Sequence, residues 1–127
     1  MSKNGIPLYH FDAFTKEPFI GNPAAVCFLE KSYADNVLED IAAEMNLSET
    51  AFLQKLLQKS FKNQRFYSLR WFTPKTEVDL CGHATLATAA VLFYEIEIPV
   101  TEVFFKTKSG TLIAKLDDRG ILRSSKL

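Results

Sequence analysis

Residues 77–94 read EVDLCGHATLATAAVLFY, and this stretch decides the fold class. The segment 83–95 is rich in alanine, a strong helix former, and it is apolar almost all the way round. A helix without a polar face is buried on all sides. We therefore predict a mixed α/β (α+β) fold, in which a curved β-sheet or barrel wraps around a buried central helix at about 83–95.

The rest of the chain predicts the strands of that sheet. Apolar or alternating runs bounded by turn residues favour strands. They are predicted at 6–14, 24–30, 50–56 and 65–74, in a hairpin over 101–117, and from residue 121 onward. The end of the third strand, LQKLLQK, fits a strand or a helix. Turns or loops are predicted at 17–23, 60–64 and 75–82.

A second, amphipathic helix is predicted at 35–45, DNVLEDIAAEM. Its apolar residues recur at helical spacing, which gives the helix one face for the core. Asp35 is a suitable N-cap residue. Asn46 is a suitable C-terminal stop.

The composition is that of one ordinary globular domain, with 127 residues, 47% hydrophobic and 24% charged. Lys+Arg and Asp+Glu balance at 15 each, which argues against nucleic acid as a partner. The longest apolar stretch, near 84–93, is too short to cross a bilayer, and no signal peptide is evident at the N-terminus. Cys27 and Cys81 give neither a disulfide framework nor zinc spacing, so we expect reduced thiols and no metal.

The cellular location follows from the same features. Reduced thiols and the lack of a signal sequence favour the cytoplasm. The final tripeptide, Ser125-Lys126-Leu127, matches the peroxisomal address, which makes the peroxisome the alternative location.

The start of the central helix is a candidate anion site. Free N–H groups and a partial positive charge lie at a helix N-terminus, and Gly82 lets a ligand approach the backbone closely. Gly82, His83, Ala84 and Thr85 can thus hold a carboxylate or phosphate, and His83 can move a proton. The alternative is a capped helix with a turn glycine and a surface histidine.

Glu49 and Cys81 are the other candidates for chemistry. Glu49 lies between the predicted helix at 35–45 and an apolar strand, a junction where partial shielding from water suits a carboxylate to proton transfer. A thiol next to a helix N-terminus is expected to have a lowered pKa, so Cys81 is a candidate base. The alternatives are a Glu49 that binds local backbone groups and a Cys81 that packs as a small hydrophobe.

Four segments together resemble one known family. They are GNPAAVCFLE (21–30), AAEMNLSETAF (42–52), LRWFTPKTEVDLCGHATLATAAVLF (69–93) and SGTL (109–112). The chain is similar to the phenazine-biosynthesis PhzF-like family, and especially to its animal members, in order across roughly residues 6–120. The resemblance implies the diaminopimelate-epimerase fold, which has two lobes, each a sheet around a central helix.

The resemblance also implies an activity. Family enzymes are cofactor-independent isomerases, and the best known moves a proton within a cyclic dihydro-hydroxyanthranilate. Glu49 would be the general acid/base, with His83 in the site. Backbone groups at Gly82 and His83, beside Ala84, would hold the substrate carboxylate, and Asn22 would lie nearby.

Members of the family are about twice as long as this chain, so residues 1–127 are expected to form a single N-terminal lobe without the second one. Turnover is then expected to be impaired, because a cleft with one wall is wet and orients its substrate poorly. A thiol mechanism would need a partner cysteine from the second lobe, so Cys81 is expected to be a packing residue. The alternative function is a non-catalytic binding or regulatory protein that forms a homodimer, or pairs with a full-length relative, through the uncovered face.

Overall fold

The computed structural model describes residues 2–3, 6–13, 22–56 and 60–127, and the side chains from residue 24 onward within those ranges. The described strands are β1 Ser2–Lys3, β2 Ile6–Ala13, β3 Asn22–Leu29, β4 Glu49–Lys55, β5 Phe66–Phe72, β6 Glu77–Val78, β7 Glu102–Thr107, β8 Gly110–Leu116 and β9 Leu122–Lys126. In the same part of the chain, the α-helices are α1 Asp35–Met45 and α2 Gly82–Ala90; a 3₁₀ turn spans Phe61–Asn63, and a π-helical turn spans Val91–Glu95.

The strands form one mixed sheet in the order β1-β2-β3-β4-β5-β7-β8-β9, with β6 paired to β5. Two neighbouring pairs, β3 with β4 and β5 with β7, are parallel, and the other pairs are antiparallel. Parallel neighbours need a crossover connection. Helix α1 lies in the connection between β3 and β4, and α2 lies in the connection between β5 and β7, so the sheet contains two β-α-β units.

The two helices cover opposite faces of the sheet, and each has its own core. Because side chains alternate between faces along a strand, Val26 and Ala51 pack on the α2 side, whereas Cys27 and Phe52 pack on the α1 side. The α2 core includes Leu69, Trp71, Ala84, Leu92 and Phe105. The α1 core includes Ala25, Leu29, Leu38, Ile41 and Phe72.

Helix α2 confirms the predicted buried central helix. It contacts β2, β3 and β4 as well as β8 and β9, which lie towards the other end of the strand order, so the sheet curves around it. Its alanines permit this close approach, and its buried hydroxyls are satisfied internally: Thr85 Oγ1 donates to Cys81 O at 2.7 Å and Thr88 Oγ1 to Ala84 O at 2.8 Å.

The bounds and the end of the central helix differ from the predicted 83–95. The α-helix begins at Gly82 and ends at Ala90, and the chain then widens into the π-helical turn, where Ile96 N–H donates to Val91 O at 2.9 Å. Hydropathy indicates which residues of a helix are buried but not whether its hydrogen bonds span four residues or five. The sequence pattern therefore predicted one continuous helix and missed the change at Val91.

Helix α1 has the predicted residues, with one correction at its start. Ala34 is the N-cap residue, and Asp35 is the first helical residue. The negative charge of Asp35 still interacts favourably with the helix dipole at this position. Asp35 was wrong as the cap because the extended residue before the helix is Ala34, at φ −62° and ψ 148°; the Asp35 carboxylate instead lies 3.1 Å from Arg70. Asn46 ends the helix as predicted, with φ 52° and its N–H donating to Ala42 O at 3.1 Å.

Most of the predicted strands are present with shifted ends. β3 starts at Asn22, two residues before the predicted 24, and the predicted loop at 75–82 contains the short β6. The segment LQKLLQK is a strand as far as Lys55, and residues 57–59 lie outside the described residues, as do 17–21 of the predicted turn at 17–23. The hairpin turns at Gly110, whose φ of 99° suits glycine.

Candidate active site

Glu49 is positioned by the first residue of a central strand. β4 begins at Glu49, which pairs in parallel register with Ala24 of β3. The alternation along β4 places Glu49 on the same face as Ala51 and Leu53, which pack in the α2 core. Its side chain is 17% exposed, so the carboxylate lies at the edge of that core with limited access to water.

His83 meets Glu49 from the first turn of α2. The imidazole Nε2 lies 2.7 Å from Glu49 Oε2, although the two residues are 34 positions apart in sequence. The imidazole is 32% exposed. A proton between these two atoms can be carried by the imidazole, which then donates to the carboxylate, or by the carboxyl group, which then donates to Nε2. The pair can therefore hold a transferable proton.

Cys81 is the N-cap residue of α2 and completes a cluster of three side chains. Its Sγ lies 3.8 Å from His83 Nδ1 and 3.7 Å from His83 Nε2, and the residue is only 7% exposed. Burial, with a smaller contribution from the carboxylate of Glu49, raises the pKa of the Cys81 thiol to about 11, although the backbone amides of Ala84 and His83 act to lower it. The expected lowering of this pKa by the helix N-terminus is wrong, because the loss of water outweighs the helix amides.

The four residues of the predicted anion site differ in accessibility. Gly82 is exposed, His83 is half-buried, and Ala84 and Thr85 are fully buried, the Thr85 hydroxyl donating within the helix to Cys81 O. A Cβ atom built on Gly82 would meet nothing within 4 Å, so the space beside this part of the helix start is open. An incoming group can reach the backbone at Gly82 directly, whereas Ala84 can take part only through its amide.

Asn22 starts β3, and Ala24, two residues further along the strand, pairs with Glu49. The backbone of Asn22 therefore lies at the same end of the sheet as Glu49. Its side chain is outside the described residues.

An ion-pair network anchors the segment that leads into α2. Arg70 of β5 donates to both carboxylate oxygens of Glu77, each at 2.8 Å, and Lys108 Nζ lies 2.7 Å from Glu77 Oε1. The Arg70 hydrogen bonds, followed by those of Lys108, hold the pKa of Glu77 below its ordinary value. Ser109 Oγ donates to Asp79 O at 2.7 Å, so the β7–β8 hairpin also holds this segment.

Sequence reasoning did not find this network or the clustering of Cys81 with Glu49 and His83. Nothing in the spacing of Arg70, Glu77 and Lys108 marks them as partners, because the fold brings them together from three separate elements.

The donor atoms of Glu49, Cys81 and His83 all lie within 4.8 Å of one another, which is close enough to hold one metal ion. Metal spacing rules look for ligands close in sequence, and one of these three comes from a distant strand.

Comparison with known proteins agrees with the architecture. The sequence model of a family described as "Phenazine biosynthesis-like protein" matches residues 11–125. A mouse protein, phenazine biosynthesis-like domain-containing protein 1, is 51% identical over 118 residues, which cover 92% of this chain and 41% of the mouse protein. A protein of Halalkalibacterium halodurans named as an uncharacterized isomerase is 54% identical over 112 residues, covering 85% of this chain and 38% of that protein.

Solved structures show the same fold. A phenazine biosynthesis protein of the PhzF family from Enterococcus faecalis superposes with a TM-score of 0.77 at 48% identity, over 89% of this chain and 41% of that one. A predicted epimerase from Pseudomonas aeruginosa shares the fold with a TM-score of 0.67 at 23% identity. Among the described residues, no helix is long and apolar enough to cross a membrane. The chain spans 38–41% of the length of these curated relatives, and it belongs to the phenazine biosynthesis-like (PhzF) protein family.

Proposed function

We propose that this chain carries the proton-transfer half of a cofactor-independent isomerase that acts on a small carboxylated substrate. The observation that carries the proposal is the 2.7 Å contact between Glu49 Oε2 and His83 Nε2, at an open helix start and at the rim of the core. Membership of the PhzF family supports it, as do the isomerase names of bacterial relatives.

The chemistry needs one proton to leave a carbon atom and one to return at another. Glu49, as the carboxylate, takes the first proton while the C–H electron pair moves into the adjacent unsaturated system of the substrate. Glu49, now protonated, returns the proton to the second carbon, so no oxidant, reductant or water is consumed. His83 orients the carboxyl group throughout, and the substrate carboxylate lies against the amides that begin α2 at Gly82.

The chain covers about 41% of the length of its mammalian relatives, so we propose the activity of the longer proteins for this chain in a weaker form. We expect slow turnover in the chain alone. Water reaches Glu49 and His83, which are 17% and 32% exposed, and proton transfer is faster where a closed site orients the substrate and excludes solvent.

Deuterium incorporation tests the proposal. The chain is incubated in D₂O with a cyclic dihydro-hydroxyanthranilate, and exchange at carbon is followed by NMR spectroscopy. We expect the wild-type chain to exceed the rate without protein. Glu49→Gln should lose most of this rate, because general acid–base catalysis typically contributes about 10²–10⁴-fold. The amide keeps the shape of the side chain and cannot accept the proton.

Glu39→Gln is the matched control, since Glu39 is exposed on α1, on the opposite face of the sheet. It makes the same chemical change and should leave the rate unaltered. A wild-type rate equal to the rate without protein would contradict the proposal, and so would a Glu49→Gln chain that exchanges as fast as the wild type. Circular dichroism of each variant separates loss of catalysis from loss of fold.

The partner and location predictions remain predictions. Self-association, or pairing with a full-length relative, is the alternative role, and light scattering would measure it. The cytoplasmic location, with the peroxisome as the alternative, would be measured by microscopy of the tagged chain.

A further inference from the structure

We propose that Glu49, Cys81 and His83 form a binding site for a single Zn²⁺ ion, and that the metal-bound chain is a resting form in which proton transfer is blocked. The observation behind this proposal is that a thiol, an imidazole and a carboxylate converge from β4 and the start of α2, with all their donor atoms within 4.8 Å of one another.

The donor set selects the class of cation. Thiolate is a soft ligand and imidazole a borderline one, and together with a carboxylate they suit Zn²⁺. Ca²⁺ and Mg²⁺ prefer oxygen ligands alone, so the cluster discriminates against the two abundant hard cations.

The two distances to His83 Nε2 require only a small adjustment. Tetrahedral Zn²⁺ with bond lengths of about 2.0–2.3 Å separates a sulfur and a nitrogen ligand by about 3.6 Å, and a nitrogen and an oxygen ligand by about 3.3 Å. The Cys81 Sγ to His83 Nε2 distance is already 3.7 Å. The Glu49 Oε2 to His83 Nε2 distance of 2.7 Å must open by roughly half an ångström, which is the step from sharing a proton to sharing a metal.

The negative charge of the ligands exceeds the partial positive charge of the helix N-terminus, which would repel a cation. A thiolate and a carboxylate together supply about two negative charges, whereas a helix N-terminus contributes about half a positive charge. The ion would therefore neutralise its ligands almost completely, and the thiol proton would leave to the solvent when the ion binds.

The site also has a way in and room for a fourth ligand. His83 is half-buried, Gly82 is exposed, and a side chain on Gly82 would meet nothing within 4 Å, so water can reach the ion from that side. Three protein ligands with one open position is the arrangement in which zinc keeps a bound water molecule.

The inhibitory part of this inference rests on the proposed function. Zn²⁺ would occupy Glu49 Oε2 and His83 Nε2, the two atoms that hold the transferable proton. A bound ion therefore leaves no base, and isomerase activity should fall in step with metal occupancy and return when a chelator removes the ion.

Cobalt spectroscopy tests the binding independently of any activity. Co²⁺ takes tetrahedral zinc sites and gives visible d–d bands, and its bond to a thiolate gives a near-ultraviolet charge-transfer band. We titrate the full chain with Co²⁺ and expect both bands to saturate at one ion per chain and to disappear when Zn²⁺ is added. A wild-type chain without the charge-transfer band at millimolar Co²⁺ would overturn the proposal.

The two cysteines give a matched pair of variants. Cys81→Ala should lose the charge-transfer band, and His83→Gln should weaken Co²⁺ binding by at least about tenfold, since even residues outside the ligand set cost 10–100-fold in known sites. Cys27→Ala should keep the band, because Cys27 is fully buried in the α1 core on the other face of the sheet. A band that survives Cys81→Ala and is lost in Cys27→Ala would also overturn the proposal.

The wild-type titration decides the matter even if a variant fails to fold. A saturating band in a chain that shows no deuterium exchange would establish the metal site and contradict the proposed isomerase. Deuterium exchange in a chain without any cobalt band would support the proposed isomerase and contradict the metal site.

Discussion

At the scale of single residues, the site depends on Glu49 and His83, which are 34 positions apart and meet at 2.7 Å. Physical reasoning from the sequence could identify the helix start at Gly82 as a candidate anion site, but it had no means to pair it with Glu49. It was the resemblance to the PhzF-like family that placed Glu49 and His83 in one site. The contact itself depends on the register of β4 against β3, which places Glu49 close to the start of α2. Strand register is a property of the folded sheet.

Cys81 shows where local rules are insufficient. The helix N-terminus does lower the pKa of this thiol through the amides of Ala84 and His83, but burial and the nearby Glu49 carboxylate raise it more, to about 11. A sequence reveals that a cysteine precedes a helix. It does not reveal how much of the thiol is buried, or which charge faces it.

The reactivity of Cys81 follows from this raised pKa. The thiolate is the reactive form, so we expect slow alkylation by iodoacetamide at pH 7 and a rate that climbs towards a plateau above about pH 11. Peptide mapping by mass spectrometry measures Cys81 separately from Cys27. Glu49→Gln should speed the reaction at neutral pH, because it removes a negative charge that raises the pKa. A Cys81 that alkylates at its full rate by pH 7 would contradict this assignment.

At the scale of elements, α2 was the most predictable part of the fold, because a helix that is apolar on every side has one stable place in a domain. Its π-helical end was not predictable, since hydropathy is blind to hydrogen-bond spacing. The two-residue β6 was also missed, because a strand so short has no periodicity to detect.

The packing around α2 makes a specific prediction for Ala87. Ala87 and Ala24 are both fully buried and contact each other between α2 and β3. Ala87→Leu adds three carbon atoms where the helix and the strand approach closely, so we expect a loss of about 1–3 kcal/mol in the free energy of unfolding. Urea denaturation measures it. Ala43→Leu, at an exposed position on α1, is the control and should stay within about 0.5 kcal/mol of the wild type.

At the scale of the whole molecule, two β-α-β units share one sheet and bury separate cores on its two faces. The class of this architecture could be predicted from the pattern of apolar segments. The order of the strands and the two parallel pairs could not, because strand partners are chosen by tertiary packing and the sequence pattern specifies only which face of each strand is apolar. The resemblance implied a sheet around a central helix, and the strand order and the parallel pairs came only with the structure.

The Arg70–Glu77–Lys108 network links distant parts of the chain and should make stability depend on pH. The pKa of Glu77 in the folded chain is below its ordinary value of 4.5, so its contribution is present above that pH and is lost as the pH falls through the folded pKa. Glu77→Gln should cost about 1–2 kcal/mol at pH 7, between an exposed ion pair and a hydrogen bond to a charged group. Urea denaturation should show that this difference shrinks below about pH 4.5.

Glu39→Gln is the control for the pH series, since Glu39 is exposed on α1, and its effect on the free energy of unfolding should be small at every pH. A Glu77→Gln deficit that stays constant down to pH 3, or one that grows as the pH falls, would show that the Glu77 carboxylate is not stabilised in the folded chain.

A double-mutant cycle on deuterium exchange measures whether Glu49 and His83 act as one unit. Rates are measured for the wild type, Glu49→Gln, His83→Gln and the double variant. Residues that act as a unit are strongly non-additive, so we predict that the double variant is no slower than Glu49→Gln alone. Losses that multiply in the double variant, or a Glu49→Gln chain with the wild-type rate, would show that Glu49 and His83 do not act as one unit in proton transfer.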